Sequence, residues 1–171
     1  EFSGNLDELK AEIMRHPFQF VAHDFAFSDK LREAGIKHLV SLTYPDQIRP
    51  VENYEIIRTI PVTKFLVTTG FTTLQNSKID RLGIRNDFEK IHIIDPGKTA
   101  KTKRDYFKQI LVKYKLKTDE VLVIGDDLNS EIKAAKELGI DTVLYDFRSV
   151  YTETDDQKVI RNFSELPAYF N

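Results

Sequence analysis

Residues 121–140, VLVIGDDLNSEIKAAKELGI, decide the fold class of this 171-residue chain. The stretch begins with four apolar residues, which is typical of a buried strand, and continues with a polar turn from Gly125 to Asp127. Apolar residues then recur at helical spacing over residues 130–138, and Gly139 predicts the end of that helix. A buried strand, a polar turn and an amphipathic helix in this order indicate an α/β fold with a parallel sheet.

The same pattern occurs on both sides of this stretch. Further apolar strands are predicted at residues 64–68, 91–94 and 142–145, and helices at residues 72–82 and 101–114. Strands that are apolar on both faces and alternate with helices predict a Rossmann-like parallel sheet flanked by helices. Right-handed crossovers bring the carboxyl ends of such strands to one edge, where α/β folds bind their ligands.

The N-terminal third of the chain has a different character. Residues 1–60 are predicted to form a small helical, cap-like segment, and residues 61–171 the α/β core. Helical spacing predicts helices over residues 5–15, with Asn5 as the N-cap, and over residues 48–60.

Between these two helices the pattern is less regular. A short helix at residues 29–35 is expected to end at Gly35, and residues 36–42 are expected to be extended. The aromatic-rich residues 18–27 fit either a buried strand or a buried helix.

The composition excludes several classes of protein. The formal net charge is −2, which does not favour nucleic acid or an anionic membrane as a partner. The chain has no cysteine, so disulfides and thiolate metal sites are excluded and a cytoplasmic location is expected. Its apolar runs are far shorter than the roughly 20 residues of a membrane-spanning helix, so no membrane partner is expected.

Polar residues follow three of the predicted strands, at the edge where ligands bind. Thr68, Thr69 and Gly70 end one strand, a lysine-rich stretch at residues 98–104 follows the next, and residues 125–127 follow the third. Hydroxyl and backbone N–H groups can hold phosphate oxygens, and a lysine adds positive charge. Carboxylates suit Mg²⁺, which takes few protein ligands. The edge therefore predicts a site for phosphate and Mg²⁺.

The order of these features resembles motifs two, three and four of the haloacid dehalogenase superfamily. These motifs correspond here to Thr68-x-Gly70, to Lys101 six residues before Phe107, and to a Gly-Asp-x-x-x-x-acid stretch that ends at Glu131. The resemblance implies a Mg²⁺-dependent phosphohydrolase that acts on a small phosphorylated metabolite through an aspartyl-phosphate.

The resemblance also implies a role for each matching residue. Thr68, with Thr69 and Gly70, would bind the phosphoryl group, and Lys101 would stabilise the anionic nucleophile and the transition state. In the fourth motif, Asp126 would ligate Mg²⁺, Glu131 would ligate it directly or through water, and Asp127 could substitute.

The first motif of the family, Asp-x-Asp, is absent from the 171 residues. One explanation is a degenerate motif at residues 20–28, with Asp24 as the nucleophile and Ala26 in place of the general acid. A second is that the motif lies upstream of Glu1. A third is a catalytically impaired module that binds phosphate and metal or regulates without turnover. All three remain open at this point.

Overall fold

The structure is a computed structural model that describes residues 4–13, 16–45, 48–152, 154 and 156–170. Its α-helices are α1 (Leu6–Ile13), α2 (Phe18–Asp24), α3 (Asp29–Ser41), α4 (Glu55–Thr59), α5 (Thr72–Leu82), α6 (Lys103–Tyr114) and α7 (Lys133–Lys136). Its strands are β1 (Phe65–Thr69), β2 (Lys90–Ile94), β3 (Leu122–Gly125), β4 (Asp141–Tyr145) and β5 (Lys158–Ile160). A π-helical turn at Leu128–Ile132 precedes α7, and 3₁₀ turns lie at Arg85–Asp87, Thr118–Glu120 and Phe163–Tyr169.

The described strands form two sheets. One contains β1 and β2, and the other has the order β3-β4-β5. In the larger sheet β4 runs parallel to both neighbours, with Gly125 opposite Leu144 and Tyr145 opposite Ile160. The predicted α/β class, with parallel strands and flanking helices, is confirmed. None of the described helices has the length and apolar character needed to cross a bilayer.

The chain divides into two compact units that interleave along the sequence. We call Glu1–Ile48, Thr68–Ile84 and Ile93–Ala100 the helical unit, and Arg49–Val67, Arg85–His92 and Lys101–Asn171 the sheet unit. The predicted division into residues 1–60 and 61–171 stays a prediction.

The helical unit contains α1, α2, α3 and α5. Asn5 caps α1, because its Oδ1 accepts the backbone N–H of Asp7 at 2.9 Å. The predicted extension of this helix to residue 15 reaches residues 14 and 15, which lie outside the described residues. Gly83 ends α5 in the left-handed conformation that the sequence predicted, with φ of 66°.

The prediction was right that residues 29–35 are helical, and wrong about where this helix ends. A single helix, α3, continues through Gly35 to Ser41, so Gly35 does not end a helix and residues 36–41 are not extended. The reason is packing: the ring of Phe18 lies where a Cβ on residue 35 would be, so this glycine provides space. The ambiguous residues 18–27 begin as the helix α2.

The sheet unit packs its apolar side chains on two faces. One cluster is built around Ile60, Val143, Ile160 and Leu166, and Ile124 and Tyr145 pack against it. A second cluster is Phe107, Ala134, Ala135 and Ile140, with Val67 and Val123 packed against it. Because successive residues of a strand point to opposite faces, Ile124 and Val123 of β3 contribute to different clusters.

The sheet unit also differs from the prediction at its periphery. The predicted helix over residues 48–60 is helical only at Glu55–Thr59, and β5 was not predicted. The helix predicted from residue 101 begins at Lys103, because Thr102 forms a capping box with Asp105.

Candidate active site

The loop after β3 is organised by the Glu131 carboxylate. Its Oε1 accepts the backbone N–H of Asp126 at 2.8 Å and that of Asp127 at 3.0 Å. Gly125 makes this possible, because a Cβ at that position would overlap the Glu131 side chain. In the Gly-Asp-x-x-x-x-acid stretch, the side chain of the last acid therefore folds back and accepts hydrogen bonds from the backbone of the turn that precedes it.

Lys103 pairs with the second oxygen of the same carboxylate. Its ammonium forms a close ion pair with Glu131 Oε2, and the two side chains are only 18% and 9% exposed. Burial by itself raises the pKa of Glu131, but the Lys103 charge and the hydrogen bonds outweigh it and hold the pKa below its ordinary value. The ion pair also accounts for a positive charge in the first turn of α6, which is unfavourable with respect to the helix dipole.

Asp126 is the acid of this loop that remains exposed. Partial burial of the carboxyl group raises the pKa of Asp126, and the neighbouring Glu131 carboxylate raises it further. The side chain of Asp127 bonds to the residues that follow it, since its Oδ1 accepts the backbone N–H of Asn129 at 2.8 Å. Lys103 therefore pairs with Glu131, and Asp126 is the exposed acid beside this ion pair.

The lysine predicted for the site has a different environment. The Lys101 side chain is exposed, and its ammonium lies 6.0 Å from the centroid of the Tyr106 ring. Lys103, two residues later, makes the ion pair with Glu131 instead. Sequence reasoning passed over Lys103 because the family spacing pointed to Lys101. The unfavourable charge at the start of α6 was the signal that could have revealed it.

The predicted phosphate-binding residues lie in the helical unit, at the end of β1. The side-chain amide of Gln75 donates to the Thr69 carbonyl at 3.0 Å, and the Gly70 N–H donates to the Ile94 carbonyl at 2.9 Å. The φ angle of Gly70 is 148°, and a Cβ there would overlap Gln75, so only glycine fits this turn. The Thr68 hydroxyl lies 3.5 Å from the Gln75 amide oxygen.

The helical unit holds a second polar cluster that sequence reasoning missed. The buried Asp95 accepts both the N–H and the hydroxyl of Thr72, at 2.9 and 2.7 Å, and the N–H of Gly97 at 3.0 Å. Lys98 donates to the Thr72 hydroxyl at 2.9 Å and lies 3.5 Å from Asp95. Burial opposes ionisation of Asp95, but these hydrogen bonds and the Lys98 charge bring its pKa below its ordinary value.

Asp24 does not have the placement that a degenerate first motif requires. It is the last residue of α2 and not the residue after a strand, because residues 18–24 are helical. Its side chain is 71% exposed and lies 3.0 Å from His23 Nδ1. This corrects the interpretation of residues 20–28 as a strand that ends in a nucleophile.

The donor set of the loop after β3 suits a hard cation with few protein ligands. No cluster of three or more His, Asp or Glu side chains that could hold a metal is found in the described part of the chain. Mg²⁺ commonly takes one or two carboxylates and completes its shell with water and phosphate oxygens. The exposed, negatively charged Asp126 fits that requirement.

The comparison with protein families agrees with this geometry. The model of the haloacid dehalogenase-like hydrolases matches residues 26–139 of the chain. The chain belongs to the haloacid dehalogenase-like hydrolase family. The matched region contains every residue of the loop after β3, including Asp126 and Glu131.

A phosphatase of known name is similar to part of this chain. The glyceraldehyde 3-phosphate phosphatase of Methanocaldococcus jannaschii is 32% identical over 93 residues, which are 54% of this chain and 40% of that protein. The chain thus spans less than half the length of that relative.

Two solved structures share the fold. The HAD phosphatase of Thermococcus onnurineus has a TM-score of 0.59 at 20% identity, covering 96% of this chain and 76% of that one. The HAD-hydrolase YfnB of Bacillus subtilis, solved bound to magnesium, has a TM-score of 0.59 at 20% identity, covering 69% and 54%.

Proposed function

We propose that this chain carries the phosphate- and Mg²⁺-binding residues of a phosphohydrolase that acts on a small phosphomonoester. The observation that carries the proposal is the loop after β3, where Glu131 and Lys103 hold an exposed Asp126 at the carboxyl end of a parallel strand. Membership of the haloacid dehalogenase-like hydrolases and the activity named for the Methanocaldococcus relative support the same reaction class.

Asp126 is the proposed metal ligand. Glu131 has one oxygen on two backbone N–H groups and the other on Lys103, which supports a positioning role for it and not direct ligation. Asp127 remains a candidate for a ligand through water. A bound Mg²⁺ would neutralise charge on the phosphoryl oxygens of the substrate.

Thr68, Thr69, Gly70 and Lys101 take the phosphate-binding roles that the family resemblance implies. Hydrolysis through an aspartyl-phosphate needs a carboxylate that attacks phosphorus while the ester oxygen leaves with a proton, and water then cleaves the acyl phosphate. Asp24 is a poor candidate for this carboxylate, because it lies exposed at a helix end.

Titration calorimetry with MgCl₂ tests the metal site. The unaltered chain should bind Mg²⁺, and Asp126→Ala should abolish the binding. Asp119→Asn is the matched control, because this exposed carboxylate lies before β3 and not after it, and its Mg²⁺ binding should be unchanged. Equal Mg²⁺ affinity in the unaltered chain and in Asp126→Ala would sink the assignment.

A phosphate- and metal-binding module without turnover is the second candidate. The helical setting of Asp24 supports it, because Asp24 then does not take the place of the nucleophile in the first motif. An assay of phosphate release from para-nitrophenyl phosphate and from glyceraldehyde 3-phosphate with Mg²⁺ separates the two candidates. Release that is lost in Asp126→Ala supports the hydrolase, whereas Mg²⁺ binding without release supports the module.

A further inference from the structure

Tyr145 lies at the carboxyl end of β4, beside the loop that carries Asp126. Gly125 of β3 is the parallel partner of Leu144, so the residues that follow them, Asp126 and Tyr145, come next to each other at this edge of the sheet unit. Ile124 and Tyr145 pack against the same apolar cluster. Strand alternation therefore brings Asp126 and Tyr145 toward one face of the sheet.

The Tyr145 ring stacks on two other aromatic rings. It stacks on Phe163 with ring centroids 4.4 Å apart and planes 20° apart. It also stacks on Phe147, with centroids 5.9 Å apart and planes 29° apart. Such pairs contribute stability beyond simple burial, and here they fix the direction of the hydroxyl group.

The segment that supplies Phe147 is itself anchored. The buried Asp146 accepts the N–H of Val150 at 3.1 Å and that of Tyr151 at 2.7 Å, and Arg161 donates to the Tyr151 carbonyl at 3.2 Å. Phe147 nevertheless stays 52% exposed. A hydrogen-bonded loop thus places the exposed Phe147 ring against Tyr145.

The Tyr145 hydroxyl is a potential hydrogen-bond donor. A tyrosine hydroxyl ordinarily keeps its proton at neutral pH. The Tyr145 backbone belongs to the β4–β5 ladder, but its hydroxyl has no hydrogen-bond partner among the described residues. A protonated, fixed and unengaged hydroxyl is a ready donor to a bound molecule.

We infer that Tyr145 determines specificity by donating a hydrogen bond from its hydroxyl to a hydroxyl oxygen on the organic part of the phosphomonoester. The inference rests on the proposed function, which puts the phosphoryl group near Asp126. The substrate class is therefore a short hydroxylated phosphomonoester and not an unsubstituted alkyl one.

Two non-hydrolysable ligands and two variants test this inference. The ligands are the dihydroxybutyl phosphonate analogue of glycerol 3-phosphate and butylphosphonate, which has the same carbon chain without hydroxyls. Both are titrated calorimetrically in the presence of MgCl₂. Tyr145→Phe keeps the ring stack and removes the hydroxyl, and Tyr151→Phe is the control because it removes a hydroxyl from the neighbouring loop.

Tyr145→Phe should bind the dihydroxybutyl ligand about fivefold more weakly, the effect of one neutral hydrogen bond, with unchanged affinity for butylphosphonate. Tyr151→Phe should bind both ligands as the unaltered chain does. Equal weakening of both ligands in Tyr145→Phe, or no change in either, would overturn the inference. If the unaltered chain binds neither phosphonate, the proposed function fails and this inference fails with it.

Discussion

At the scale of the residue, Gly125 controls the loop that carries Asp126. Its φ angle does not demand glycine, but a Cβ would overlap the Glu131 side chain. We expect Gly125→Ala to push the Glu131 carboxylate off the two backbone N–H groups and to lower the free energy of unfolding by about 1–3 kcal/mol. Urea denaturation measures the change.

Gly97→Ala is the control for that substitution. A Cβ at Gly97 would lie 3.3 Å from Asp95 Oδ1, which a small shift relieves, so the loss should be under about 1 kcal/mol. Ala restricts the unfolded chain and stabilises a protein where the folded structure has room for it. If Gly125→Ala raises the free energy of unfolding, Glu131 does not approach Gly125 as closely as described.

The same scale shows why the site could be predicted only in part. Asp126 and Glu131 were found because both belong to one local stretch of sequence. Lys103 was missed because its role depends on where α6 begins, and Thr102 sets that start through its capping box with Asp105. Asp95 was missed because its partners come from α5, so no spacing in the sequence reveals them.

At the scale of the element, the effect of replacing Gly35 in α3 should depend on the contact with Phe18 of α2. In an ordinary helix interior, Gly→Ala stabilises by roughly 0.5–1 kcal/mol. Here the Phe18 ring occupies the space of the new methyl group, so Gly35→Ala should destabilise the protein in urea denaturation.

A double-mutant cycle isolates the cause of that destabilisation. In a Phe18→Ala background the space is open, and Gly35→Ala should then stabilise the protein as the helix propensity predicts. If Gly35→Ala has the same sign in both backgrounds, the ring contact does not explain the glycine.

His92 of β2 makes the stability of the sheet unit depend on pH. Its ring packs on Tyr106 of α6 with centroids 5.3 Å apart, and its buried Nε2 has no hydrogen-bond partner among the described residues. Burial lowers the pKa of His92, and the charges of Lys90 and Lys113 lower it further. The unfolded chain therefore takes up a proton near pH 6.5 while the folded chain does not.

As the pH falls from 7.5 to 5.5, we expect this difference to reduce the free energy of unfolding, by at most about 1.4 kcal/mol per pH unit. His92→Phe keeps an aromatic ring and should flatten the dependence over this range. An unchanged slope in His92→Phe would contradict the argument.

The elements that the sequence predicted well are those whose ends are encoded locally. β1, α5, β3 and β4 are each bounded by polar or glycine residues and were predicted to within two residues. β5 has only three residues, and it exists because it pairs with β4, which no local pattern encodes. Gly35 shows the reverse case, in which a local stop signal is overridden by packing.

At the scale of the whole molecule, the fold class followed from the alternation of strands and helices. The division into units did not, because the helical unit takes its residues from three separate stretches of chain. Such interleaving depends on which side chains pack together, and a pattern along the sequence reports only neighbours in the chain.

The melting temperature of the whole chain should depend on Mg²⁺, because a cation at Asp126 should bind the folded chain and not the unfolded one. In EDTA, burial of the Asp126 carboxyl group and the neighbouring Glu131 carboxylate both disfavour the charged form of Asp126 and raise its pKa, so Asp126→Asn should melt at a temperature equal to or above that of the unaltered chain. With MgCl₂ at about 100 times its Kd, the unaltered chain should gain about 2.7 kcal/mol while Asp126→Asn gains nothing. Thermal melts in EDTA and in MgCl₂ should therefore reverse the order of the two proteins. The same order in both buffers would mean that the negative charge at the end of β3 does not bind Mg²⁺.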